Sequence, residues 1–169
     1  MNNNKKSNYL KLFIIIIGAI MVTIIICNMY RNSSNKVDKS YLSKYVPTIE
    51  YNELSTAVTE LNTNSFIYLS YEGEKEVNNL EKKLRKIIKL YDYEDNFIYV
   101  DCTKYLEENH SVKGLNNLYL VGNGDIILPA IIYFKNNEPT DYIDSKNGLF
   151  NVGDFSQLLD KYELESSRE

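Results

Sequence analysis

Two cysteines, one histidine and scattered carboxylates are the groups in this chain that could do chemistry. Dithiol exchange needs a thiolate of lowered pKa and a second thiol close enough to resolve the mixed disulfide. Cys27 ends a long apolar run and Cys102 follows the apolar segment FIYVD, so the two do not read as a pair. Cys102 reads as a small, buried or half-buried structural residue, the alternative being a lone redox-sensitive thiol. His110, in ENHSVKG, has no second histidine for a metal cluster and no supported Ser-His-Asp arrangement around it, and it reads as a loop residue. Glu107 and Glu108 are adjacent and point apart on a helix. The segment Val121 to Asp125 (VGNGD) has two glycines but neither G-x-G-x-x-G spacing nor a P-loop lysine, and it reads as a turn. No catalytic constellation, metal site or cofactor site emerges from these residues.

The elements that would position chemistry are clearer than the chemistry. In Phe66 to Leu84 (FIYLSYEGEKEVNNLEKKL) an apolar strand runs through a short turn into an amphipathic helix. Val77, Leu80, Leu84, Ile87, Ile88 and Tyr91 recur at helical spacing, while Lys82, Lys83, Arg85, Lys86 and Lys89 fall mostly on the other side as a solvated face. Upstream, Thr48 to Tyr51 is a short strand, and Asn52 can cap a helix whose apolar face is Leu54, Ala57, Val58 and Leu61. Downstream come a strand at Phe97 to Asp101, a short helix near Tyr105 to Glu108, and two strands, Ala130 to Phe134 and Thr140 to Ile143, around a KNNEP turn. The last helix opens with Asp154, has Gln157 three residues on, and buries Phe155, Leu158, Leu159 and Tyr162. The order β-α-β-α-β-α-β-β-α predicts an α/β fold, a mixed sheet with helices on both faces.

That order, with Pro129 just before the hairpin, resembles a thioredoxin-like domain over roughly Thr48 to Leu164. With its N-terminal apolar run, the chain is similar to the membrane-anchored bacteriocin transport accessory proteins of Gram-positive bacteria. In that family the first core strand leads into a pattern like YIGRPTCPYC. Laid against it without a gap, Tyr68 to Val77 (YLSYEGEKEV) puts Glu74 and Val77 at the two cysteine positions. A carboxylate at a helix start is favourable but is no nucleophilic thiol, and Val77 lies on the apolar stripe. The resemblance further implies a cis proline at Pro129, against a trans proline at a strand start. It also implies a shallow peptide groove lined by Tyr71, Glu72, Gly73, Glu74, Leu128 and Pro129, where backbone groups beside the proline can pair with an extended chain. The plainer reading of the turn is that it only closes the fold.

The N-terminus is a different material. From Leu12 to Tyr30 run nineteen uncharged residues, which as a helix would span roughly 28 Å, the thickness of a hydrocarbon core. Ile24-Ile25-Ile26-Cys27 offers no small-x-small cleavage site and no small residue before Cys27, so an uncleaved anchor is expected over a signal peptide or lipidation at Cys27. Lys5, Lys6 and Lys11 favour a cytoplasmic N-terminus and an extracytoplasmic domain, against the opposing bias of Arg31, Lys36, Lys39 and Lys44. The expected organisation is a cytoplasmic tail (1–11), a transmembrane anchor (12–30), a flexible stalk (31–46), the thioredoxin-like domain (47–164) and a C-terminal tail (165–169). All 23 acidic residues follow residue 37, and from Arg31 onward the net charge is −7, which argues against nucleic acid as a partner. The resulting expectation is a membrane-tethered, redox-inactive accessory or binding protein that assists export or handling of a bacteriocin or other secreted peptide. Its alternatives are a thiol-dependent oxidoreductase acting through Cys102 and a lipoprotein lipidated at Cys27.

Overall fold

The computed structural model describes residues 16–27, 39–61, 64–109 and 126–164. The chain divides into two compact units, Met1–Val37 and Asp38–Glu169. In the first, residues 16–27 are helical (α1) with their large apolar side chains exposed. No helix among the described residues is long and apolar enough to cross a membrane. The rest of the expected span, residues 12–15 and 28–30, lies outside the described residues, as do His110, the VGNGD segment and the tail 165–169.

The second unit is built on five strands: β1 (Thr48–Glu50), β2 (Asn64–Ser70), β3 (Phe97–Asp101), β4 (Ala130–Lys135) and β5 (Glu138–Ile143). Their spatial order is β1-β3-β2-β4-β5. β1, β2 and β3 are mutually parallel, β4 runs antiparallel to β2, and β5 runs antiparallel to β4. Among the described residues four helices flank the sheet: α2 (Leu54–Thr59), α3 (Lys75–Leu90), α4 (Thr103–Asn109) and α5 (Val152–Lys161). This is the element order and the mixed sheet that the sequence predicts.

Strand side chains alternate between faces, and the sheet therefore has two cores. On one face Phe66, Tyr68, Phe97, Tyr99, Ile131 and Tyr133 pack against Leu80, Leu84 and Ile88 of α3 and Phe155, Leu158 and Leu159 of α5. Phe66 sits at the centre, with the rings of Tyr93, Tyr133 and Phe155 at 5.2, 5.2 and 5.3 Å, within the range where aromatic pairs add to area burial. On the other face Ile67, Leu69, Val100, Ala130, Ile132 and Phe134 pack with Leu54, Val58 and Leu61, and with Cys102, Ile126 and Leu128. Asp38–Glu169 thus holds the whole sheet and both cores, which is what a unit needs to fold by itself.

The turn and cap chemistry is local. Between β4 and β5, Asn136 and Asn137 take φ of 54° and 66°, the pair of positive values a two-residue hairpin turn of this twist requires. Pro139 is tolerated because β5 is an edge strand.

Three expectations are corrected. The stalk does not extend to residue 46, because Ser40, Leu42 and Val46 are buried and a 3₁₀ turn at Leu42–Lys44 packs on α3. Helix α5 is capped by Asn151, whose side chain accepts from Gly153 N–H at 2.7 Å, while Asp154 reaches back to Asn151 N–H, also at 2.7 Å. Asp154 is therefore the return partner of the capping box, one turn inside the helix. The α2 region opens with a 3₁₀ turn in which Glu53 bonds Glu50 N–H at 3.0 Å, so Glu53 and not Asn52 supplies the side-chain bond there.

Candidate functional site

The site lies where β2 hands the chain to α3. At this corner Ser70 ends β2, Tyr71 is half-buried, and Gly73 takes φ 99°. An L side chain rarely adopts that conformation, so the turn needs glycine there. Glu74 is the residue before α3, extended and exposed, and its carboxylate makes no bond to the first helical N–H groups. The capping expected of Glu74 is thus absent from its side chain; what it contributes is its carbonyl, which accepts from Asn78 N–H at 3.0 Å. Val77 is buried, as the apolar stripe predicts.

The turn is tied to its neighbours through backbone. Glu72 N–H donates to Thr103 Oγ1 at 2.9 Å, and Cys102 N–H donates to Ser70 C=O at 2.8 Å. These bonds hold the starts of α3 and α4 at one end of the sheet.

Opposite the turn, the Leu128–Pro129 peptide bond is cis. Its loop is fixed by the segment after β5: Ser145 Oγ donates to Pro129 C=O at 2.8 Å, Ser145 N–H to Ile127 C=O at 3.0 Å, and Ile127 N–H to Asp144 at 3.3 Å. Between turn and loop lies a depression of about 220 Å³ lined by Tyr71, Glu74, Glu76, Val77, Leu128, Pro129, Ser145 and Leu149. The structure therefore brings together Tyr71, Glu74, Leu128 and Pro129 from the expected groove. Glu72 and Gly73 shape the turn but do not line the depression. Sequence reasoning missed Glu76, Ser145 and Leu149 as lining residues. Glu76 follows from the helical register once α3 is placed, but Ser145 and Leu149 sit in a loop whose approach to Pro129 depends on tertiary contacts.

Two carboxylates, Glu74 and Glu76, line the depression, and no lysine or arginine does. Burial, then the charge of Glu74, holds the Tyr71 phenol above its ordinary range. Tyr71 therefore lines the depression as a neutral phenol at neutral pH.

Cys102 lies behind this corner, fully buried in the second core. Burial, reinforced by the Asp101 charge and only partly offset by the Ser70 backbone, pushes its thiol up to about 12. A thiol in this environment is almost entirely protonated at neutral pH and out of reach of a substrate disulfide. Cys27 is exposed on α1. Among the described residues no group of His, Cys, Asp and Glu could hold a metal ion.

A second polar cluster lies under the corner, in the first core. Glu81, fully buried on α3, accepts through Oε2 from Ser40 Oγ (2.8 Å), Tyr41 N–H (2.7 Å) and Leu42 N–H (3.1 Å). It anchors the first segment of the unit to α3. Burial raises its carboxyl above the usual range, and the bonds from Leu42, Ser40 and Tyr41 pull it part of the way back.

No family model matches the chain, and no curated protein matches its sequence. Solved structures do. Thioredoxin f2 of Chlamydomonas reinhardtii is similar with a TM-score of 0.51 and 10% identity, over 72% of this chain and 99% of that one. The oxidised thioredoxin of Plasmodium falciparum is similar at 0.48 and 19%, over 69% and 97%. The likeness to the algal protein, taken with the strand order, gives the unit a thioredoxin-like fold.

Proposed function

We propose that this protein is a membrane-tethered, redox-inactive thioredoxin-like binding protein that holds an extended, exported peptide. The observation that carries this reading is the pairing of an open depression beside the cis proline with a turn that presents Glu74 and Val77 where the family resemblance calls for two cysteines. The helix start has kept its place in the fold and given up the dithiol.

A peptide laid in the depression would meet the Leu128 backbone, to which no hydrogen bond comes from the described residues. It would pair there as a short added strand, with Tyr71 as the amphipathic contact and the two carboxylates favouring a basic sequence. The apolar run of residues 12–30 is the tether in this reading, and Lys5, Lys6 and Lys11 before it favour an extracytoplasmic domain. The resemblance to bacteriocin transport accessory proteins names an exported antimicrobial peptide, or its export machinery, as the partner. Export and immunity genes beside this protein's gene would support that assignment.

The groove is tested by titrating Asp38–Glu169 with reduced, alkylated insulin B chain as an unfolded probe and following backbone amide shifts. Shifts clustered at Tyr71, Glu74, Leu128 and Ser145, weakened in Tyr71→Ala, are expected; shifts confined to other surfaces would refute the groove. The tether is tested separately on the full chain, which should resist alkaline carbonate and yield to detergent. Lipidation at Cys27 would give the same extraction behaviour but would be abolished by Cys27→Ser.

The competing reading, a thiol oxidoreductase using Cys102, is disfavoured by the burial of that thiol and its raised pKa.

A further inference from the structure

The charge of the unit is unevenly distributed. It is acidic as a whole, yet along α3 the only carboxylates are Glu76 and Glu81, and Glu81 is buried. At 100° per residue Lys75, Lys82, Lys86 and Lys89 fall within an arc of about 60° on the outer face of the helix, and all four are exposed. Taken alone, such a ridge is a solvated face. What distinguishes it is that Lys39 and Lys44, from the segment latched by Glu81, converge on its N-terminal half. Together with Lys75 and Lys82 they line a depression of about 260 Å³ that contains no acidic residue.

Aromatic rings accompany the lysines. Tyr41 and Tyr45 pair with ring centroids 5.2 Å apart. Lys82 Nζ lies 5.9 Å from the Tyr41 centroid, and the Arg85 guanidinium 3.9 Å from that of Tyr45. Tyr45 is 42% exposed. Tyrosines beside lysines whose long stems can lie along a surface are the composition of a bilayer interface, where rings sit at headgroup level and ammonium groups meet phosphates.

We infer that the lysine and tyrosine face formed by residues 39–45 and the outer side of α3 docks on a bilayer of anionic lipid. Its place in the chain favours that occupant over a soluble polyanion. Only the eight residues 31–38 separate the apolar run from Lys39, so if the run is a tether, as proposed above, chain length keeps Lys39 within about 30 Å of the bilayer. The inference rests on that reading for its biological setting, but the chemistry of the face can be measured without the run.

The experiment is co-flotation of Asp38–Glu169 with vesicles of equal parts phosphatidylcholine and phosphatidylglycerol, compared with phosphatidylcholine alone. Partition into the anionic vesicles is expected, falling as salt is raised. The variant Lys44→Gln/Lys75→Gln/Lys82→Gln should partition about a hundredfold less, at about fivefold per lysine. Lys104→Gln/Lys135→Gln/Lys146→Gln, an equal change of net charge elsewhere on the unit, should partition as the unmodified unit does. All six lysines are exposed, and a thermal melt checks that both variants fold. Equal binding to neutral vesicles, no binding to anionic ones, or an equal loss in the two variants would overturn the inference. So would retention on immobilised polyglutamate without partition into vesicles, which would assign the face to an acidic protein. Failure here leaves the tether standing, because carbonate extraction of the full chain tests that separately.

Discussion

Replacing Glu81 with alanine should loosen the first segment of the domain from α3, and the cost can be worked from its hydrogen bonds. Oε2 accepts three. Tyr41 N–H also donates to Asn78 Oδ1 at 2.9 Å and keeps that partner. Ser40 Oγ already accepts from Ser43 N–H at 3.2 Å, and its own hydroxyl proton can turn elsewhere. Leu42 N–H donates among the described residues to Glu81 alone, and Leu42 is fully buried. One buried donor left without an acceptor and a second impaired, at about 1–3 kcal/mol for the first, give a loss of about 3 kcal/mol. For a unit of this size that is a fall in Tm of about 10 °C.

Glu81→Gln keeps an acceptor for these donors and should cost less than about 1 kcal/mol. Its effect should also depend on pH. The native carboxyl is raised above its unfolded value by burial, so the native state holds the proton more tightly. That contribution to stability is fully present below the unfolded value of about 4.3 and is lost as pH rises through the native one. Glutamine has no such titration, so its stability relative to glutamate should improve with rising pH over that window. Urea unfolding of Asp38–Glu169, followed by circular dichroism at several pH values, measures all three quantities. An alanine variant within about 1 kcal/mol of the unmodified unit would refute the latch; so would a glutamine variant as unstable as alanine.

Other consequences can be checked on the same unit. Cys102, its thiol pushed up to about 12, should react with iodoacetamide at neutral pH about a thousandfold more slowly than a free thiol and become fast in urea, as read by mass spectrometry. Asp141 is held below the usual range: burial pushes it up, but Lys161, the Tyr142 N–H and the Tyr162 hydroxyl outweigh that. Its contribution is present above the unfolded carboxylate value and lost as pH falls through the lower native one. Because Lys161 is largely exposed, Asp141→Asn should cost no more than about 1 kcal/mol in urea unfolding. Asn137→Val places a β-branched side chain at φ 66° and should lower stability by about 1–2 kcal/mol.

The fold was legible where periodicity is local. The stripe from Val77 to Tyr91, the alternation within the strands and the Asn136-Asn137 turn each declare themselves within a few residues. Boundaries at the domain's start were not legible, because Ser40 and Leu42 are polar and apolar residues in an unpatterned run. They are fixed by side chains more than 30 positions away, Glu81 above all with Asn78 and Glu72 beside it, and Glu81 itself sits among charged neighbours in EKKLRK and looks solvent-facing. The α5 cap was displaced by three residues because Asn151 and Asp154 form a reciprocal pair, and the sequence signal of either is similar. At the candidate site, Tyr71, Glu74, Leu128 and Pro129 were within reach of the family resemblance. Ser145 and Leu149 were not, since nothing local ties the loop after β5 to a proline in the segment before β4.

Insulin reduction with dithiothreitol in the presence of Asp38–Glu169 asks whether this thioredoxin-like domain exchanges thiols at all. The onset of turbidity should be the same with the unit, with its Cys102→Ser variant and with dithiothreitol alone. A faster onset with the unit that is lost in Cys102→Ser would show a redox-active thiol and overturn the non-enzymatic reading.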